Sequence, residues 1–431
     1  MKYIQKKKIL FVTYGGGHAH MIYPVVHAIY QSEAYQNNKI EIHVLGLTGA
    51  KNILKCNGID CLGFVDFLDK NQDMDAVQWG NELANEHHSP TVGISWEESV
   101  AYLGLNYKDL VVRLGADQAG QLLKEKSRLA FYPLGIMAKI FDAIQPDFVV
   151  TTNSPRSEAA AIDMANQRGI DNLQMTDLFT GWRERPLRAR NITFVNEFAQ
   201  HAHAANGVID EKTSIFYCTG NPAFDKYLRP IQEKNDEWIR QHFPEAVGKN
   251  IILHVDTPAY ATFDKDCTET GYHIRTNEEI LEELEACYAA TMLNDAMYLI
   301  RPHPSQDRNF YSQWVQGRKN ACLAADLPLP DVLANIDLLL VSISTVALEA
   351  AYMQKRIVQL GCDSHLEMPL VRMGIAWGVN NYSDVAKTIK NTLEDENRFV
   401  EIKHNIKHVL PSEPAAEKIA RLILDKVHMR R

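Results

Sequence analysis

The amino-acid sequence predicts an α/β protein of two Rossmann-like domains, each a parallel sheet flanked by helices. Short apolar runs, among them Ile9-Leu10-Phe11-Val12 and Leu338-Leu339-Leu340-Val341, alternate with segments of helical spacing, the pattern of successive βαβ units. The alternation runs once through the first half and begins again near Asn250. A chain of 431 residues exceeds one ordinary core and fits two domains of about 200 residues each.

In the first alternation, residues 8–14 read as a strand, Gly15-Gly16-Gly17-His18-Ala19-His20 as a tight loop and residues 21–30 as a helix. A strand over 40–45 and a short helix over 49–56 follow. Residues 71–110 are less regular and read as an insertion that could cover an acceptor. Residues 118–144 have long helical spacing with a break at Pro133. Residues 147–152 form a strand, and Asn153-Ser154-Pro155-Arg156-Ser157 opens a helix over 158–168. Strands over 173–175, 192–195 and 215–218 complete the first sheet. Thr219-Gly220-Asn221-Pro222 marks a break.

The boundaries that follow are residues 1–222 for the first domain, 223–249 for a polar connection and 250–410 for the second domain. The helix in 411–431 is expected to pack back on the first domain. Within the second domain, strands are expected over 251–255, 297–300, 338–341 and 356–360. Helices are expected over 277–293, 306–316, 331–335, 346–353 and 383–393.

The formal net charge of −9 implies no broad basic face, which argues against a general nucleic-acid binder. Lys6-Lys7-Lys8 reads as a solvated strand entry; peripheral contact with anionic lipid is its second reading. No run of about 20 apolar residues suggests a spanning helix. No signal-peptide pattern precedes the first strand. Seven cysteines without a CxxC pair read as reduced thiols. The expected location is the cytoplasm, including the inner face of the membrane.

Ser342, Ser344 and Thr345 fall where a strand ends and a helix begins. Free N–H groups and the positive helix end meet there, which suits an anion. A simple N-cap role for Ser344 is the plain alternative. Glu349, one turn on, could accept ribose hydroxyls or merely be a favourable acid in a first turn. Arg301 and His303, in Arg301-Pro302-His303-Pro304 after another strand, could hold phosphate oxygens. A rigid turn with Arg301 paired to a carboxylate is the alternative. In the first domain, Gly16 and Gly17 let backbone approach a ligand closely. Their spacing is not GxGxxG, so a dinucleotide redox cofactor is not favoured.

His18, at the helix start, could as a neutral imidazole take a proton from an acceptor hydroxyl. His20 and Asp177 are the other base candidates, and a loop-capping role is the alternative for both histidines. Asn153, Ser154, Arg156 and Glu158 could line the acceptor side. No Asp-x-Asp ends a strand, and Asp264-Lys265-Asp266 falls in a polar loop. Neither a metal nor another cofactor is therefore expected.

Several segments resemble known families. Phe11 to His18, followed by Tyr23-Pro24-Val25-Val26, resembles the N-terminal loop of the peptidoglycan lipid-intermediate GlcNAc transferase family, whose histidine after the glycines matches His18. Thr219-Gly220-Asn221-Pro222-Ala223-Phe224-Asp225 resembles a junction of UDP-GlcNAc 2-epimerases. Arg301 to Pro304 with Ser342 to Glu349 resembles capsule and teichoic-acid polymer transferases. Together these imply the GT-B architecture, two such domains facing across a cleft.

The implied activity is an inverting, metal-independent transfer of sugar from a nucleotide sugar to a hydroxyl of a bacterial surface glycan or lipid-linked precursor. The nucleotide sugar is then a substrate, bound by the second domain. A hydrolysing UDP-GlcNAc 2-epimerase and a CDP-polyol phosphotransferase of cell-surface polymer synthesis are the alternatives the same resemblances leave open.

Overall fold

The computed structural model describes residues 6–88, 93–154, 156–177, 186–210, 212–229, 233–256, 275–303, 306–363 and 368–429. The chain forms two compact units, Met1–Asp225 with Glu413–Arg431, and Lys226–Ser412.

The first unit is built on β1 (Lys7–Tyr14), β2 (Ile40–Leu47), β3 (Phe148–Thr151), β4 (Asp171–Met175), β5 (Asn191–Phe194) and β6 (Ile215–Cys218). They pair in the order β2-β1-β3-β4-β5-β6, all parallel. Ile9 to Val12 are fully buried on both faces of the sheet. That burial is why the strand reads as a continuous apolar run and not as an alternation. Ile22, Val26 and Ile29 of the helix Gly15–Tyr30 share one cluster with Ile419, Ile423 and Val427. The last three lie on the C-terminal helix Ala415–Met429, which belongs to this unit. Its start is tied down by Asp225, whose carboxylate accepts from the N–H groups of Ala415 and Ala416, both at 2.8 Å.

The second unit contains β7 (Ile251–Val255), β8 (Met297–Arg301), β9 (Ala321–Leu323), β10 (Leu338–Val341), β11 (Arg356–Leu360) and β12 (Trp377–Val379). Their order is β12-β11-β10-β7-β8-β9, again all parallel. Every residue of β7 and β10 is buried.

Three local expectations change. The helix expected to begin at residue 21 begins at Gly15, so Gly16, Gly17 and His18 form its first turn. Gly15 adopts a φ of 77°, which only glycine takes cheaply and which turns the chain out of β1. Residues 71–110, expected to be irregular, contain the helices Met74–His87 and Trp96–Leu114. Two glycines let these backbones touch. A Cβ on Gly104 would stand 1.9 Å from the carbonyl oxygen of Ala76, and one on Gly80 would stand 2.2 Å from that of Val100. The short strands β9 and β12 and the helix Glu396–Val409 were not anticipated. Among the described residues, no helix is long and apolar enough to cross a membrane. The six cysteines described carry free thiols; Cys267 lies outside the described residues.

Candidate functional site

Both sheets reverse their winding at an internal point. In the first unit the reversal separates β1 from β3, and in the second it separates β7 from β10. Loops leave such strands in opposite directions and open a crevice at the carboxyl edge, where ligands of doubly wound sheets bind. The sequence-predicted residues gather at these two edges.

In the first unit, His18 follows β1, Asn153 and Ser154 follow β3, and Asp177 follows β4. Glu158, at the start of the helix Ser157–Gln167, is fully buried and organises the corner. Its Oε1 accepts from the Tyr14 N–H at 2.9 Å and the Thr152 hydroxyl at 2.5 Å. Its Oε2 accepts from the Ser154 N–H at 2.5 Å. His18 lies between two carboxylates, with Nδ1 3.5 Å from Glu158 and Nε2 3.3 Å from Asp177. Burial alone would lower the pKa of the ring. The charge of Glu158 and the hydrogen bond to Asp177 overcome it and push the value up to about 10. The resting ring therefore carries its proton at neutral pH. Sequence reasoning expected the neutral form, because it could not see a carboxylate on each nitrogen. Burial would raise the Asp177 carboxyl, but its hydrogen bond and attraction to His18 hold it below the ordinary range.

Other polar groups converge on this edge. Thr13 Oγ1, Thr151 Oγ1, Asn153 Oδ1, Ser154 Oγ, Ser157 Oγ and Asp177 Oδ1 are buried, with no hydrogen-bond partner among the described residues. Leaving such a group unpaired costs about 1–3 kcal/mol, so their concentration suits a ligand rich in hydroxyls. The Arg156 guanidinium lies over the Tyr14 ring, 4.0 Å from its centroid. His20 is exposed and meets the edge of Tyr23 with centroids 5.7 Å apart. Gly17 has open space where a side chain would stand, whereas a Cβ on Gly16 would touch Ile53 at 3.4 Å.

In the second unit, Arg301 ends β8 and Ser342 follows β10, with β7 between them in the sheet. Arg301 Nη1 donates to the carbonyls of Ala324 and Leu327 at 2.6 and 2.8 Å. That fixes the plane of the guanidinium, and Nε and Nη2 make no hydrogen bond among the described residues. Burial lowers the pKa of the His303 imidazole. Its backbone N–H donates to Gln306 Oε1 at 2.6 Å, while Gln306 Nε2 donates to Asp256 at 3.0 Å. Pro304 lies outside the described residues. Ser344 Oγ accepts from the Val346 N–H at 3.3 Å, a local cap on the helix Val346–Tyr352, and Thr345 immediately precedes that helix. Ser342 turns inward, its hydroxyl 3.4 Å from Glu283. Glu349 accepts a hydrogen bond from the Tyr227 hydroxyl and lies 3.9 Å from Lys226. Burial raises its pKa.

Beneath this edge is a buried network that sequence reasoning missed. His254, Asp256 and Glu283 are the one set among the described residues whose three ligand atoms lie within 4.8 Å of one another. The Arg275 guanidinium supplies positive charge there, 2.8 Å from Asp256 and 3.4 Å from Glu283. His254 bridges the Tyr298 hydroxyl at 2.6 Å and Glu283 at 3.2 Å. The sequence signal was available: His254 lies near the end of the strand expected over 251–255, and Asp256 follows it directly. Asp264 and Asp266 lie outside the described residues.

No protein-family model matches this sequence, and no curated protein matches it. Solved structures do share its fold. The UDP-GlcNAc 2-epimerase of Neisseria meningitidis, bound to UDP-GlcNAc, superposes with a TM-score of 0.60 at 14% identity, covering 97% of this chain and 100% of that one. The UDP-GlcNAc 2-epimerase of Methanocaldococcus jannaschii, in complex with UDP-GlcNAc and UDP, gives 0.58 at 16%, covering 97% and 99%. A glycosyltransferase from Rickettsia africae gives 0.56 at 12%, covering 99% and 100%. The chain is thus similar along its whole length to epimerases and a transferase alike, and it has their two-domain α/β fold of the GT-B type.

Proposed function

We propose that this protein is an enzyme acting on a nucleotide sugar, and that it transfers the sugar to a hydroxyl with inversion. The observation that supports a nucleotide sugar as substrate is the fold-wide likeness to proteins solved with UDP-GlcNAc or UDP; transfer with inversion rests on the resemblance of residues 11–18 to the GlcNAc transferase loop. The chemistry of both switch-point edges agrees with it. In the second unit, Arg301 Nε and Nη2, His303 and the Ser344-Thr345 corner hold the phosphates. Each charge-assisted hydrogen bond is worth roughly 1.5–3 kcal/mol. Glu349, with one oxygen held by Tyr227, accepts from the ribose. Stabilising the charge that develops on the departing phosphate is the main catalytic contribution.

In the first unit, the His18–Asp177 pair receives the proton of the acceptor hydroxyl. Asp177 Oδ1 is the atom that meets the hydroxyl. His18, kept cationic by Glu158 and Asp177, fixes that carboxylate and balances its charge. Asn153, Ser154 and Arg156 orient the hydroxyl-bearing ligand. No step requires a metal: Arg301 brings the positive charge to the phosphates, and His303 adds a hydrogen bond from its neutral ring.

Epimerisation is the second reading, favoured because UDP-GlcNAc 2-epimerases are prominent among the solved structures that share the fold. Incubation with UDP-GlcNAc alone separates the two. The transferase reading predicts that UDP release depends on an added acceptor. Free ManNAc and UDP formed without an acceptor would replace it with the epimerase reading.

A further inference from the structure

The helix Glu396–Val409 buries Phe399, Ile402 and Ile406 and turns His404 and His408 outward. Both imidazoles are exposed, one helical turn apart, with ring centroids 4.4 Å apart. Residues at i and i+4 share a helix face, so the backbone itself sets this pairing. The two Nε2 atoms lie within hydrogen-bonding distance, 3.2 Å apart. In a neutral pair one nitrogen donates and the other accepts. If both present lone pairs, a cation can take the place of the shared proton.

We infer that His404 and His408 form a two-nitrogen chelate for a divalent transition-metal ion on the outer face of this helix. The spacing fits that chemistry. A cation at about 2.0–2.1 Å from nitrogens set 3.2 Å apart subtends roughly 100°, near the tetrahedral angle preferred by Zn²⁺. Imidazole suits Zn²⁺, Ni²⁺ and Cu²⁺, whereas Mg²⁺ and Ca²⁺ prefer oxygen. Water completes the coordination. The neighbouring charges are partly engaged: Arg398 pairs with Glu401 at 2.7 Å, and the Lys403 ammonium sits 4.5 Å from the Phe399 ring centroid. Lys407 adds a positive charge beside the pair, which limits affinity without changing the geometry.

Ni²⁺ titrated calorimetrically into the full chain tests the assignment, with His404→Ala and His408→Ala as separate variants. Both side chains are exposed, so thermal unfolding of each variant should match wild type. Losing one arm of a chelate weakens binding on the order of 10²-fold. Each variant should therefore lose one Ni²⁺ equivalent that wild type binds. Mg²⁺ should give no heat at this site. If wild type binds no Ni²⁺, or both variants titrate as wild type does, the pair is only a shared hydrogen bond and the assignment is wrong.

Discussion

At the scale of single residues, the first unit turns on His18 and the two carboxylates beside it. The sequence marked His18, Asp177 and Glu158 through their places after strands. It could not show that they meet, because they come from three separate stretches of chain. Tyr14 and Tyr227 were invisible for the same reason. Asp177→Asn keeps the shape and removes the charge. It should lower kcat by about 10²–10⁴-fold while leaving nucleotide affinity nearly unchanged. His18→Ala should do the same; full activity in either variant, measured by steady-state kinetics, would remove that residue from proton transfer.

The His18 pair also predicts a pH dependence of stability. The folded pKa of His18, about 10, lies above its ordinary value near 6.5. The folded state therefore holds a proton that the unfolded state has released. The stabilisation is complete below about pH 6.5, declines as pH rises and is gone above about 10. Asp177 acts in the opposite direction: its lowered pKa gives stability that is lost as pH falls through the acid range. Denaturant unfolding across pH 6 to 10 should show the decline in wild type and a flatter profile in His18→Gln. Identical slopes in both proteins would refute the pairing.

At the scale of elements, legibility followed burial. Strands β1, β7 and β10 are sheathed on both faces, so their apolar runs were plain in the sequence. The helices Met74–His87 and Trp96–Leu114 were not, because they meet through Gly80 and Gly104, residues that break a helical reading. The strands β9 and β12 have three residues each, too few for any period to register. The helix Glu396–Val409 did carry a signal: Asp395 accepts from the Arg398 N–H at 2.9 Å, and Phe399, Ile402 and Ile406 repeat at helical spacing. Gly104→Ala forces a methyl group against the Ala76 carbonyl and should cost about 1–3 kcal/mol through overpacking. Urea unfolding that gives the same midpoint as wild type would mean the helices are not so closely apposed.

At the scale of the whole molecule, each unit places its polar residues at its own winding reversal. The division of labour proposed here assigns the nucleotide to the second unit and the proton to the first. The proposed ligand is a nucleotide sugar, and its base is not legible in side chains, because backbone groups can read it without leaving a mark in the sequence. The same division explains why the fold was readable while the substrate was not: strand burial is written in residue type, whereas substrate choice lies in loop geometry.

Binding of nucleoside diphosphates to the intact chain tests the central claim most directly. UDP, GDP, CDP and dTDP should be compared by calorimetry for wild type, His303→Ala and His18→Ala. At least one should bind wild type, lose about tenfold or more in affinity with His303→Ala, equivalent to about 1.4 kcal/mol, and bind His18→Ala nearly as well as wild type. No binding at millimolar concentration, or binding indifferent to His303, would contradict a phosphate site at the Arg301–His303 corner.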